Sequence, residues 1–310
     1  YQTNVRIHYY FIVVVFLCLG LEKMQQTAWP ENKRLALSIV VNVEEGSELS
    51  VADGDRGPEP VDELGVVLKK PIRNFGNESN YQYGIKRGAP RVMELLKKHG
   101  IKSTFTAAAL SLERAPQLAK QIIKDGHEVC SHGWRWVHQF HMDEDTERDF
   151  IIKAADSIEM TTGIRPVGWL SRYLLTPNTR RLLIENGFSY HMDDYSDDMP
   201  FWDDVDQKPI LILPYAMDSN DMKMWTAPSY TPEQWYRYAV DTFDRLYLEG
   251  ETAPRMMSFG VHLRIIGRPG RFIWFERFLE HVLRYDKVWI TTRKDIANHW
   301  ASHNPFGSKK

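Results

Sequence analysis

From Leu35 to its end the chain repeats one pattern: a short apolar, β-branched run, then an amphipathic segment, often closed by a glycine. "LALSIVVNV" leads, after a long insertion, to "APRVMELLKKHG"; "KSTFTAAAL" to "SLERAPQLAKQIIKDG"; "RPVGWLS" to "TPNTRRLLIENG". Helical periodicity marks the second member of each pair, and Gly100, Gly126 and Gly187 stop it. "TPEQWYRYAVDTFDRLYLEG" opens with Thr231, Pro232 and Gln234, a capping box. "HEVCSHG", "FSYHMDD", "ILILPYA", "PRMMSFGVHLRI" and "KVWITT" supply further strands. Seven or eight such strand–helix units predict an α/β fold with a parallel sheet. Right-handed crossovers favour its closure into a distorted (β/α) barrel. A doubly wound sheet is the alternative, but no G-x-G-x-x-G follows the first strand.

A barrel gathers function at the C-terminal ends of its strands. Polar residues fall there: Glu44 and Glu45, His132, Ser171 and Arg172, Asp193 and Asp194, and His262. The stretch from Gly46 to Gly88, rich in Gly, Pro and charge, is longer than ordinary connections and predicts a functional or disordered loop.

The N-terminus stands apart. Residues 9–21 form an apolar run of roughly thirteen residues, short of the ~20 that span a bilayer. No A-x-A-like cleavage site follows it, and Met24 opens a segment that reads as the start of a domain. We therefore treat 1–23 as a hydrophobic extension (signal-like, anchor or spurious) and 24–310 as the catalytic domain. A cytoplasmic protein is expected, with secretion or membrane anchoring as the alternative if residues 9–21 are genuine. A net charge of −2 without a basic stripe argues against nucleic acid as a partner. Cys18 and Cys130 alone exclude a disulfide framework or a multi-cysteine metal cluster.

Glu44 and Glu45 close a run of buried-strand character. Where the backbone turns, both carboxylates can reach one cavity, and burial with mutual repulsion raises the pKa of a general base. His132 follows a strand and precedes a glycine, a layout that presents an imidazole to a cleft. His262 ends another strand and is read as an acid or oxyanion donor. Arg135 and Arg264 are candidates to stabilise developing negative charge, and Arg172 to bind substrate. Trp134 and Trp136 would wall the site. His138 and His141 are read as surface residues, and the six Asp between 193 and 204 as turn and capping residues. Asn77 begins an N-x-S glycosylation pattern, a short motif that matches often by chance.

Together these residues resemble the polysaccharide deacetylase (NodB homology, carbohydrate esterase family 4) superfamily over about Leu35 to Trp300, and within it the metal-independent allantoinase-like branch. Asn42-Val43-Glu44-Glu45-Gly46 is similar to that branch's N-x-E-E-G, where relatives with metal keep T-F-D-D-G. The resemblance implies that Glu44 stands at the general base and Glu45 where the family keeps a metal-binding aspartate. It places Trp136 at the second histidine of H-[S/T]-x-x-H, leaving the Asp-His-His ligand set incomplete. "GVHLRIIGRPGRF" is similar to the last histidine motif, and "VWITTRKDIANHW" to the usual ending. "GWLSRYLLTPNTRR" carries one residue more than the allantoinase pattern, which leaves the substrate open.

The activity implied is hydrolysis of a carbon–nitrogen bond, most like opening of a cyclic ureide by carboxylate-activated water, with no cofactor. The alternatives are an N-acetyl-sugar deacetylase using zinc or another divalent metal, and a carbohydrate-binding pseudoenzyme. A small-molecule or saccharide substrate and a homo-oligomer are expected.

Overall fold

The computed structural model describes residues 29–66, 68 and 70–307. The hydrophobic run at 9–21 and Cys18 lie outside the described residues. Among the described residues no helix is long and apolar enough to cross a membrane.

Nine strands form one sheet: β1 Leu35–Val43, β2 Thr104–Ala107, β3 Glu128–Ser131, β4 Gly168–Trp169, β5 Tyr190–His191, β6 Phe201–Val205, β7 Lys208–Ile212, β8 Arg255–His262 and β9 Val288–Ile290. Their order is β6-β7-β5-β4-β3-β2-β1-β8, with β9 paired to the start of β1. Every pairing is parallel except the β6–β7 hairpin. The helices are α1 Phe75–Tyr83, α2 Ala89–Lys98, α3 Ala109–Arg114, α4 Pro116–Lys124, α5 Glu144–Thr162, α6 Thr179–Glu185, α7 Pro232–Glu249, α8 Leu263–Ile266, α9 Pro269–Val282 and α10 Arg293–His303.

Strand β1 organises the molecule. All nine of its residues are buried, so its two faces divide by chemistry rather than by exposure. Leu35, Leu37, Ile39, Val41 and Val43 pack with α2, α7 and α9 in the main apolar core. Ala36 and Val40 face the concave side with Cys130, Tyr190, Leu211 and Met256. Ser38 and Asn42 continue that face as polar positions. The register sets Asn42 beside Thr106 of β2 and His262 of β8, and Ala107 beside Ser131, the residue before His132. Parallel strands in register thus bring Glu44, His132 and His262 to one end of the sheet.

The sheet curls without closing: its end strands β6 and β8 share no ladder among the described residues. The segment after β7 spans that seam instead, with Ser219 Oγ donating to Ser258 O (3.2 Å), Trp235 Nε1 to Ser219 O (2.9 Å), and His262 N to the carboxylate of Asp221 (2.8 Å). The acidic stretch read as turns contains β6, joined to β7 through Asp206 and Gln207, both at positive φ (52° and 65°). A right-handed strand twist favours this left-handed two-residue connection. The described part of the long insertion is tied to the rest of the fold. Arg172 clasps Glu59 in two contacts (2.9 and 2.5 Å), Arg135 clasps Asp55 (3.0 and 2.7 Å), and Asn77 donates to Glu59 O (3.0 Å). Asn77 is buried and its amide nitrogen is spent on that bond, so the N-x-S pattern presents no exposed acceptor in the folded chain.

Candidate active site

At the C-terminal end of the sheet a cleft of about 490 Å³ opens above β1, β3 and β8. Glu44 lies at its floor. Its Oε1 is 3.2 Å from His132 Nε2 and 3.3 Å from His262 Nε2, and Arg264 Nη1 is 2.6 Å from its other oxygen. All four side chains are buried. The three residues read as a catalytic group from widely separated positions therefore converge on one carboxylate oxygen.

Each imidazole is held from behind. His132 Nδ1 donates to Leu170 O (2.7 Å), which leaves Nε2 turned to Glu44. His262 Nδ1 pairs with Asp221 Oδ1 (2.6 Å), fixing the ring as aspartate does in a catalytic triad. Burial disfavours charge on His262, but Glu44 and Asp221 outweigh it and raise its pKa to about 9. Burial likewise pushes Glu44 upward, but Arg264, His262 and the hydrogen bond from His132 hold its carboxyl well below the usual range. The resting site thus sets the Glu44 carboxyl against the Arg264 guanidinium and two imidazoles.

Glu45 has a different place. Its Oε1 accepts the backbone N–H of Arg264 (2.9 Å) and its Oε2 that of Glu44 (3.1 Å). It does not line the cleft of Glu44 but faces a second hollow of about 370 Å³ behind it. Burial and the charge of Glu44 raise its pKa against the pull of Arg264. The expectation that both glutamates reach one cavity with raised pKa is corrected: Glu44 is depressed and faces the cleft, Glu45 is raised and faces away. β1 ends at Val43 and the chain turns at once, Ser47 N donating to Glu44 O (3.0 Å), so the two side chains part. Gly84 makes room for Glu45, because a Cβ there would stand 2.4 Å from its Oε1.

Arg264 is fully buried, yet none of its guanidinium nitrogens has a well-aligned hydrogen-bond acceptor. The short approach to Glu44 is a charge contact. The guanidinium lies over the rings of Tyr81 (4.4 Å), Trp136 (5.1 Å) and Trp225 (5.5 Å). Trp136 lines the cleft, as expected of a wall. Trp134 and Arg135 do not. Trp134 donates to Glu113 (3.2 Å) and stacks with Lys153, while Arg135 is spent on Asp55 and on Glu48 O (2.8 Å). Arg172 borders the cleft, but its guanidinium is committed to Glu59 and to Trp136 O (2.7 Å). These three expected substrate contacts are structural or peripheral. His138 Nδ1 donates to Arg172 O (3.0 Å).

Several residues in or behind the cleft were not anticipated. Asp221, Asn220 and Tyr215 sit on the irregular segment that spans the seam, where no periodic signal marks them. Asn42 Nδ2 (3.1 Å) and Asn220 Nδ2 (2.9 Å) both donate to Tyr215 Oη. Tyr173 and Tyr195 border the mouth, both about half exposed. Tyr173 holds a left-handed backbone (φ 60°), uncommon for an aromatic residue.

The donors do not fit a resident divalent metal. Glu45 is turned from His132, an indole at 136 offers no lone pair, and Arg264 already lies against Glu44. Among the described residues, no group of three or more His, Cys, Asp or Glu is arranged to hold one.

Comparison with known proteins agrees with this fold and family. Residues 79–190 match the family model described as polysaccharide deacetylase. A Schizosaccharomyces pombe protein classed with the polysaccharide deacetylases is 35% identical over 300 residues, 90% of this chain and 93% of its own. The crystal structure of PuuE allantoinase superposes with a TM-score of 0.86 at 39% identity, covering 90% of this chain and 94% of that one. A Pseudomonas aeruginosa PAO1 structure, also classed as a polysaccharide deacetylase, gives 0.86 at 42% identity with the same coverage of 90% and 94%. The fold and site define an enzyme of the amidohydrolase type. The chain belongs to the polysaccharide deacetylase superfamily, as its sequence motifs implied.

Proposed function

We propose that this enzyme hydrolyses a cyclic ureide or closely related amide without metal, in the manner of an allantoinase. The convergence of His132, His262 and Arg264 on Glu44 carries this reading, and the 39% identity to PuuE allantoinase supports the substrate class. Water held by Glu44 loses a proton to it and attacks the carbonyl carbon. His262, protonated at neutral pH by its raised pKa, faces the developing oxyanion and later supplies a proton to the leaving nitrogen. A carboxylate so depressed is a weak base at rest. Negative charge gathering on the substrate beside it raises its proton affinity as the reaction proceeds, so basicity arrives with the transition state. Arg264 against Glu44 and the buried Trp136 beside it hold charge in a low-dielectric floor, which strengthens each of these terms.

A second reading, N-deacetylation of a sugar, draws support from the half-exposed rings of Tyr173 and Tyr195 at the cleft mouth, which offer stacking surfaces to a saccharide. Hydrolysis of allantoin against N-acetylated chitooligosaccharide, each with and without chelator, separates the two. Turnover of allantoin that ignores chelator is expected. Activity on the sugar alone, abolished by chelation and restored by zinc, would replace the first reading with the second. A cytoplasmic homo-oligomer with a single catalytic domain at 24–310 completes the proposal, and light scattering on the purified chain tests its assembly.

A further inference from the structure

Tyr215 is 7% exposed and lines the cleft beside Glu44 and His262. The direction of its hydrogen bonds can be fixed from its partners. Asn42 Oδ1 accepts from Thr106 Oγ1 (2.6 Å) and Asn42 Nδ2 donates to Val261 O (3.2 Å), so the nitrogen of that amide points to the phenol. Asn220 Oδ1 accepts from Met222 N (2.8 Å), so its nitrogen does likewise. Two N–H groups thus occupy the phenol oxygen as acceptor. A phenol has one more capacity, its own O–H, and among the described residues no acceptor takes it. Gly260 on β8 permits this packing: a Cβ there would fall 2.2 Å from Tyr215 Oη and 2.7 Å from Asn220 Nδ2.

We propose that Tyr215 is a further catalytic residue, its unspent O–H donating to the substrate carbonyl oxygen as that atom becomes an oxyanion. The inference rests on the amide-hydrolysis reading and adds a neutral donor to the charged His262. Two amides that donate into the phenol oxygen polarise its O–H, as hydrogen bonds in series do. Burial raises the phenol pKa above its ordinary value, so it stays protonated and transfers nothing. Such a donor is worth most when fixed before the reaction, and the two asparagines fix it.

Tyr215→Phe should lower kcat by about 10²–10³-fold with KM moved by less than about threefold, because the bond tightens only in the transition state. Asn220→Ser, which removes one partner of the phenol but keeps its O–H, should cost less than about tenfold. Equal losses in the two variants, or a Tyr215→Phe enzyme within about threefold of wild type, would overturn the role of Tyr215 while leaving the hydrolase reading intact. Should wild type hydrolyse neither allantoin nor chitooligosaccharide, the hydrolase reading falls, and a crystal soaked with hydantoin decides Tyr215 separately. A carbonyl oxygen within hydrogen-bond reach of Tyr215 Oη supports the donor; hydantoin elsewhere or absent refutes it.

Discussion

Arg264 and Arg293 are both completely buried, and they are held in opposite ways. Arg293, at the start of α10, enters the sheet interior below the cleft. Its Nη1 donates to Ser38 and Ser258 Oγ (both 3.0 Å), and its Nη2 to Pro214 O (2.9 Å) and Leu213 O, leaving only Nε without a partner. Nearby, Glu128 accepts from Tyr190 (2.7 Å), Thr104 (2.7 Å) and Lys294 N (3.0 Å). That network is nearly saturated and has nothing left to offer a ligand. Around Arg264 the same ingredients, an arginine, a glutamate and a tyrosine, leave donors unspent. Burial of charge marks both regions; spare hydrogen-bonding capacity separates the one built to act from the one built to hold.

Removing the acceptor at the centre of the upper region should have the largest effect. Glu44→Gln is expected to lower the single-turnover rate by about 10²–10⁴-fold, the range of a lost general base. Unchanged turnover would end the catalytic assignment. Arg293→Met should instead leave four buried acceptors unpaired and cost about 3–5 kcal/mol in urea unfolding, with turnover per folded molecule preserved. Arg264→Met sharpens the contrast: a smaller loss of stability than Arg293→Met, about a hundredfold loss of kcat, and an acid limb of the pH profile displaced upward, because Glu44 loses the cation that depresses it.

The legible and illegible parts of this architecture divide along the same physical lines. Strands such as β1 and helices such as α7 announce themselves through periodicity and caps. Glu44, His132 and His262 were visible because each interrupts an apolar run where a parallel strand ends. Sequence neighbours misled: Glu45 beside Glu44, and Trp134 and Arg135 between His132 and Trp136, lie next to site residues in the chain but are held by partners outside the cleft. Strand β6 was hidden because, at the sheet edge, its acidic residues are only partly buried and need no apolar alternation. Arg172 could not be paired in advance with Glu59, 113 positions away inside an irregular insertion. Tyr215, Asn220 and Asp221 belong to a segment whose conformation is dictated by the seam it fills.

A subtler difference between the two regions concerns pH. With a folded value of about 9 against ~6.5 in an unfolded chain, His262 contributes its full stabilisation below about 6.5 and loses it as pH rises through about 9. If the imidazolium is the working acid, kcat/KM should fall with an alkaline limb near 9, and Asp221→Asn should shift that limb to lower pH. A limb unmoved by Asp221→Asn would assign it to another group. The smallest effect is expected far from both regions. Gln207→Gly relieves a left-handed strain of about 1–3 kcal/mol, less Gly's entropic penalty of about 0.5–1, so a modest rise in thermal midpoint at constant kcat should follow.

Because the stretch from Tyr215 to Asp221 meets β8 through side-chain bonds rather than a ladder, the seating of His262 and Tyr215 depends on a join outside the sheet's hydrogen-bond network. Such joins open at free energies well under that of global unfolding. On mild heating the enzyme would fall silent while its circular dichroism still reported a folded protein, and a tethering crosslink between the 215–221 segment and β8 would restore the coincidence of the two melts.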